Sequence, residues 1–364
     1  MKLLFLACLS KNTGNCTTAE RIREHIESVG HTCVLQDTAD LKSSEKVAHL
    51  IAEEPFFQAA LAIHLYKGGR FLLDCQAPFG VVFGGTDINE DVKDETKRAV
   101  MGKVLKKARN GSGSFTRMMS RKSSGSRRHW FAVAFTEKLK EEAETYWPSQ
   151  GIKICVQPQG IETKATENFN WDGFLRSTGV NCENVEDLHV FLLVCGLRRV
   201  KDPLYLVDVF SEWHQEDPSV ILIIIGPEID PLFTEEVEVN VKRAKGVFLA
   251  AERRQQDLHA AMRRSVAVVN SSVSEGMSAA ILEAMDLEVP VVARNIPGNA
   301  AVIKHEETGL LFSNPQEFVD LSRKLLAEPS LRERLVSKAK KYVKDHHCKA
   351  KEKDTYRRLI EQLH

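Results

Sequence analysis

Ligands of open parallel α/β sheets bind outside the carboxyl ends of the strands, so polar residues that directly follow apolar runs are the first candidates for chemistry. After the run LHVFLLV the chain reads Cys195-Gly196-Leu197-Arg198-Arg199-Val200-Lys201-Asp202-Pro203: a glycine turn, three cations and a proline-led helix start. Arginine offers a planar fork of donors and a helix N-terminus offers free N–H groups, so this stretch suits a diphosphate. A solvated basic loop is the other reading. After VAVVN comes Ser271-Ser272-Val273-Ser274-Glu275-Gly276-Met277-Ser278, leading into a helical pattern from Ala279 to Met285 in which Glu283 sits between Leu282 and Ala284. Two carboxylates eight residues apart can face one cleft and accept hydrogen bonds from vicinal hydroxyls. The alternative puts Glu283 on the outer face of its helix.

Two places in the first third of the chain have the same character. Lys11-Asn12-Thr13-Gly14-Asn15-Cys16 follows the first apolar run, and Gly14 would let backbone approach a ligand. A G-x-G-x-x-G is missing, which argues against a classical dinucleotide site. His64 ends the run AALAI, where it is either a cleft residue or a satisfied structural histidine.

The elements that must position these residues alternate regularly. KLLFLACL, HTCVLQ, AALAIHLY and FGVVFGG read as strands, with helical patterns over AERIREHIESVG and KVAHLIAEE between them. The strands are apolar on successive residues, as expected where helices cover both faces of a parallel sheet. Residues 110–130 break the rhythm with Ser, Gly and basic residues and read as a mobile surface insertion, or alternatively a basic docking peptide. The rhythm resumes through FAVAF and KICVQPQGI. After a polar stretch from Glu162 to about Asp187 a second series begins: LHVFLLVCGL, VILIIIGPE, GVFLA, VAVVNSS and PVVARN, each pair separated by a helical pattern, with a helical tail from Pro315. Two Rossmann-like lobes follow.

Bulk properties narrow the class. A chain of 364 residues is long enough for two cores. Lys plus Arg and Asp plus Glu number 50 each, so no net field draws the chain to nucleic acid or anionic lipid. Eight cysteines without a C-x-x-C pair read as reduced core thiols, which favours a reducing, cytoplasmic compartment over disulfide or metal frameworks. Met1 to Cys8 has the basic-then-apolar look of a signal peptide, which would place the protein in the secretory pathway, but it is read here as the first strand. No segment approaches the ~20 apolar residues that span a membrane.

The ordered set Gly196 to Lys201 (G-x-x-x-x-K), IIIGPE, Glu275 with Glu283 (E-x7-E), Pro290 to Ala293 (P-V-V-A) and Thr308 to Leu311 (T-G-L-L) resembles the retaining glycosyltransferases of family 4, also called group 1. The resemblance implies a GT-B-type α/β fold, two Rossmann-like lobes facing a cleft, with the C-terminal helix crossing back to the N-lobe. It implies an acceptor-side lobe over 1–161, a linker over 162–187, a nucleotide-sugar lobe over 188–345 and a C-terminal helix over 346–364. It also implies roles. Arg198 and Lys201 would hold the donor diphosphate, Glu283 the ribose, and Glu275 the transferred sugar, with the backbone of Gly276, Met277 and Ser278 near the sugar or phosphate. Gly14 and His64 would occupy the positions of the glycine loop and cleft histidine.

The implied function is transfer of a sugar from a nucleotide-sugar donor to an unknown acceptor, with retention. The donor is a co-substrate, and no cofactor is implied. The chain lacks an Asp-x-Asp triplet, so cations rather than a metal would neutralise the diphosphate. Departures from the family pattern are Gly276-Met277-Ser278 for Gly-Phe-Gly, Glu288 in a turn of small residues, and Pro158-Gln159-Gly160-Ile161 for P-N-G-I. An inactive nucleotide-sugar-binding scaffold and another two-lobed enzyme, an epimerase or phosphorylase, are the rival readings.

Overall fold

Valine, isoleucine, leucine and phenylalanine dominate the short runs, and in a computed structural model of the chain these runs form two all-parallel sheets. The structure describes residues 1–363 other than 12, 54–55, 111–129, 149–153 and 182–183. The insertion expected at about 110–130 therefore lies, apart from its ends, outside the described residues.

The first compact unit comprises Met1–Gly160 and Lys349–His364. Its elements are β1 (Lys2–Ala7), α1 (Gly14–Glu27), β2 (Thr32–Asp37), α2 (Ser44–Ala52), β3 (Ala59–Ile63), β4 (Phe79–Val82), α3 (Gly85–Asn89), α4 (Glu95–Asn110), β5 (Phe131–Ala134), α5 (Glu137–Tyr146) and β6 (Ile154–Val156). The strand order is β2-β1-β3-β4-β5-β6. Leu4, Leu6, Ala60, Ala62 and Val81 pack with Val47 and Ile51 of α2 and with Met101 and Val104 of α4. The alternate residues Leu3, Phe5 and Leu61 are equally buried, so both faces of the sheet are covered. Met1 to Cys8 thus supplies the strand β1.

The second unit is Ile161–Cys348. It contains α6 (Trp171–Ser177), β7 (His189–Val194), α7 (Val207–Glu216), β8 (Val220–Ile225), α8 (Pro231–Arg243), β9 (Val247–Ala250), α9 (Gln255–Arg264), β10 (Ala267–Asn270), α10 (Ala279–Asp286), β11 (Val291–Arg294), α11 (Pro297–Ala300), β12 (Leu310–Phe312), α12 (Pro315–Ala327) and α13 (Pro329–His346). The strand order is β12-β11-β10-β7-β8-β9. Phe191 and Leu193 face Phe210 and Trp213 of α7 and Phe318 of α12. Val190 and Leu192 face the other way, toward Trp171, Met262, Ile281 and Val343. The stretch 162–187, expected as a linker, carries α6, whose Trp171 and Phe174 are part of that core. Thr166 ties it further, donating its hydroxyl to Asp257 at 2.6 Å and its backbone N–H to the Gln256 carbonyl at 3.0 Å.

In each sheet the strand order reverses once: between β1 and β3 in the first, and between β7 and β10 in the second. At such a reversal the helices leave on opposite faces and open a crevice at the strand ends. The pairing Leu6↔Ala62 sets the ends of β1 and β3 level, and Leu193↔Val269 does the same for β7 and β10. No helix among the described residues is long and apolar enough to cross a membrane.

The last helix, α14 (Lys349–Glu361), packs on α1 and so belongs to the first unit. Its anchor is Glu352, whose side chain is wholly buried. Glu352 accepts from Arg21 Nε at 2.9 Å and lies 2.9 Å from His25 Nε2. Burial acts to raise this carboxyl, but the contacts to His25 and Arg21 outweigh it and hold the group below the usual carboxylate range. A lowered carboxylate stabilises the fold above its ordinary pKa, and that contribution fades as pH falls through the lowered value. Glu352→Ala should cost about 3–5 kcal/mol by leaving Arg21 without its buried partner. It should also flatten the acid limb of a plot of melting temperature against pH; an unchanged melting temperature would show that the anchor is not stabilising.

Glu288 follows α10 with φ +60, in the left-handed region. The turn there closes with Val289 N–H on the Ala284 carbonyl at 2.9 Å, a helix ending that glycine fits without strain. Its side chain is exposed, so Glu288→Gly should stabilise the protein by about 1 kcal/mol, read as a higher denaturant midpoint.

Candidate functional site

The reversal in the second sheet brings together two loops far apart in sequence. The loop after β7 runs through Cys195 to Asp202, and the loop after β10 through Ser271 to Ser278. They are laced by backbone: Val273 N–H donates to the Val200 carbonyl at 2.9 Å, and the Ser271 hydroxyl to the Lys201 carbonyl at 3.1 Å. A 3-10 turn over Arg199–Lys201 leads into Asp202, held at φ 44 and ψ 51. Arg294 at the end of β11 steadies that strained residue with a 3.0 Å ion pair, while its guanidinium lies 3.8 Å from the centre of the Tyr205 ring.

The lacing delivers Lys201 to Glu275, with Nζ 2.6 Å from Oε1. The Glu275 side chain is only 7% exposed. Its Oε1 also accepts from the Ser272 hydroxyl at 2.7 Å and from Asn270 Nδ2 at 3.2 Å. Burial alone would raise this carboxyl; the Lys201 charge, with the Ser272 and Asn270 donors, reverses that and keeps it ionised below its ordinary range. Arg198, Lys201 and Glu275 all act on the buried Cys195 thiol. Its pKa is pushed up to about 12 by burial, with Glu275 adding to the rise and Lys201 and Arg198 opposing it. Cys195 therefore stays a thiol.

Arg198 is half-buried, and its guanidinium makes no hydrogen bond or ion pair with a described residue. Ser278 holds the N-cap position of α10, but its side chain makes no capping hydrogen bond, which leaves the first N–H groups of that helix without a side-chain partner. Met277 does not project as a free side chain; it packs against the core beneath the loop. Gly276 links it to Glu275. A free cation, a lysine with two remaining donors and an uncapped helix start at one strand reversal can together bind an anion.

Glu283 lies within α10 and does not join the Lys201 ion pair. Its Oε2 is 3.6 Å from Nε2 of His259, a buried residue of α9. The outer-face reading of Glu283 is thereby set aside: the side chain is 13% exposed.

In the first unit Gly14 opens α1, capped by the Thr13 hydroxyl, which accepts from Cys16 N–H. A side chain at position 14 would meet nothing within 4 Å, so the packing in this structure does not require glycine there. His64 follows β3 at φ 66 and is 2% exposed. Its Nε2 is 3.3 Å from Asn15 Oδ1 and its Nδ1 is 3.5 Å from Asp87 Oδ2. Asp87 is wholly buried and accepts from the backbone N–H groups of Leu65, Tyr66 and Gly84. Gly84 is required by the ring: a Cβ there would stand 1.9 Å from His64 Cε1.

Sequence reasoning passed over Asn270, Ser272, Asp87, His259, Arg294 and Asn299. Asn270 and Ser272 carried a signal, since the first borders the Glu275 loop and the second lies within it. The contacts of Asp87 with His64, Arg294 with Asp202, His259 with Glu283 and Asn299 with Asn270 arise only through packing between segments, which no local pattern displays.

Comparisons with known proteins bear on the family and the fold. Residues 182–342 match the model of the family described as glycosyl transferases group 1. The chain is 55% identical over 363 residues to the glycosyltransferase 1 domain-containing protein 1 of Xenopus tropicalis, covering 100% of this chain and 98% of that protein. Among solved structures, HepE of Anabaena in complex with UDP-glucose superposes with a TM-score of 0.74 at 16% identity, covering 99% of each chain. Sucrose-phosphate synthase of Thermosynechococcus elongatus superposes with a TM-score of 0.73 at 14% identity, covering 100% of this chain and 99% of that one. The fold is of the GT-B type. With both the domain and a full-length relative matched, the chain belongs to the glycosyl transferases group 1 family.

Proposed function

We propose that the protein transfers a sugar from a nucleoside diphosphate sugar, a UDP-sugar by analogy with the ligand of HepE, to an acceptor hydroxyl with retention and without a metal. The observation that carries this reading is the unpartnered Arg198 guanidinium, set beside Lys201 and the uncapped start of α10 at the strand reversal. In that reading Arg198 and Lys201 hold the diphosphate, and the N–H groups near Gly276, Met277 and Ser278 share its charge. Glu275 takes a hydroxyl of the sugar, and Glu283 takes the ribose hydroxyls.

As the glycosidic bond to phosphate breaks, negative charge collects on the departing oxygen. Fixed cations and backbone dipoles stabilise it without reorganising. The acceptor hydroxyl attacks from the same face, and its proton passes to that oxygen; no pair of carboxylates 5–5.5 Å apart is called for. Gly14 and His64 serve the corresponding crevice of the first unit. Metal independence is supported by the chemistry of the site, where cations face the anion.

Two measurements test this. Calorimetry should show saturable binding of UDP and of a UDP-sugar, with GDP and ADP weaker, and Arg198→Ala should weaken UDP by roughly 10–100-fold, the worth of one charged hydrogen-bonding group. No saturable binding of any nucleotide would overturn the proposal, and binding without transfer or hydrolysis would establish the scaffold reading. Where turnover is measured, it should persist in excess chelator. Loss of activity that returns with added Mg²⁺ or Mn²⁺ would reject the metal-free mechanism.

A further inference from the structure

The Glu275 carboxylate is used by the protein on one side only. Oε1 receives three donors, from Lys201 Nζ at 2.6 Å, Ser272 Oγ at 2.7 Å and Asn270 Nδ2 at 3.2 Å. Oε2 receives none from a described residue.

The Asn270 contact depends on which way its amide is turned, because one end donates and the other accepts. Two donors decide it. Ser272 N–H points at Asn270 Oδ1 from 3.2 Å, and Asn299 Nδ2 from 2.9 Å. With Oδ1 so engaged, the nitrogen end must face Glu275. Asn299 is itself fixed: it is wholly buried, and its Nδ2 also donates to the Arg294 carbonyl at 3.0 Å. Its Oδ1 has no partner among the described residues. A buried unpaired acceptor is a standing cost, which an apolar side chain of similar size would not incur. The residue is therefore poorly explained as packing and well explained by what its Nδ2 holds. The turn that carries it is pressed against the same loop, since a Cβ at Gly298 would stand 2.0 Å from the Glu275 carbonyl oxygen.

We propose that Asn299, acting through Asn270, is a positioning residue that saturates one oxygen of Glu275 and leaves Oε2 to accept a hydroxyl of the donor sugar. This rests on reading the second unit as the donor site. It goes further by making sugar recognition, as distinct from nucleotide recognition, depend on two asparagines. The favoured donors are sugars with a free hydroxyl that can donate to Oε2 while the diphosphate is held by Arg198 and Lys201.

The test compares UDP with UDP-glucose and UDP-N-acetylglucosamine by calorimetry on the full chain. The wild type should bind at least one of the UDP-sugars more tightly than UDP. Asn299→Leu keeps the branched outline of the side chain and removes the donor, and Asn270→Ala removes the donor that faces Glu275 without adding a charge beside it. Both should raise the Kd of the preferred UDP-sugar about tenfold, on the scale of one hydrogen bond to a charged group, while the Kd of UDP changes by less than about twofold. Should Asn299→Leu fail to fold, Asn270→Ala carries the comparison.

Parallel weakening of UDP and UDP-sugar would overturn the inference in favour of a general structural role, as would variants that bind both like the wild type. A wild type that binds neither ligand would instead remove the donor-site reading, and this inference with it.

Discussion

Parallel strand pairing with both faces covered is the constraint from which the rest of the molecule follows. Parallel strands need a long crossover connection at every step, here mostly helical, and those connections bury each face, so the strands must be apolar on successive residues. Chemistry is thereby excluded from the body of the sheet and pushed to the strand ends. It concentrates where the order reverses, at β1/β3 and at β7/β10. Both clusters of candidate side chains stand at those reversals: His64 with Asn15 and Asp87 at one, Arg198 with Lys201 and Glu275 at the other.

Glu352 and Glu275, two of the buried carboxylates, show how one chemical problem receives two solutions. Glu352 is surrounded by Arg21 and His25, and its charge is spent on fastening α14 to α1. Glu275 is also ionised against burial, but its donors converge on a single oxygen. A carboxylate satisfied on both sides is a fastener, whereas one satisfied on one side is a fastener that can still accept a hydrogen bond. The same asymmetry marks the cations: Arg294 is committed to Asp202 and Tyr205, while Arg198 has no partner among the described residues.

Two of the left-handed non-glycine residues lie near these ends as well. His64 and Asp202 adopt left-handed backbone without being glycine, and each is held by packing from another segment. His64 is held by a ring cradle that only glycine at position 84 permits, and Asp202 by the Arg294 ion pair. Such residues persist only where their surroundings over-determine them, and here the surroundings are the walls of the two crevices.

The residue string by itself determined the class of sheet, the positions of nearly all strands, and the candidacy of Arg198, Lys201, Glu275 and Glu283, because runs of apolar residues and the polar residues after them are local features. It misjudged residues 162–187 as a linker, since a short helix with two aromatics shows its burial only once α9 and β7 are present to receive Trp171 and Phe174. Tertiary structure alone decided that Lys201 would meet Glu275 across 74 residues, that Glu283 would meet His259 instead, and that Asn299 would orient Asn270. Hydrogen bonds and ion pairs act over about 3 Å, a distance that chain separation does not encode; only the order and register of the strands bring such groups within it.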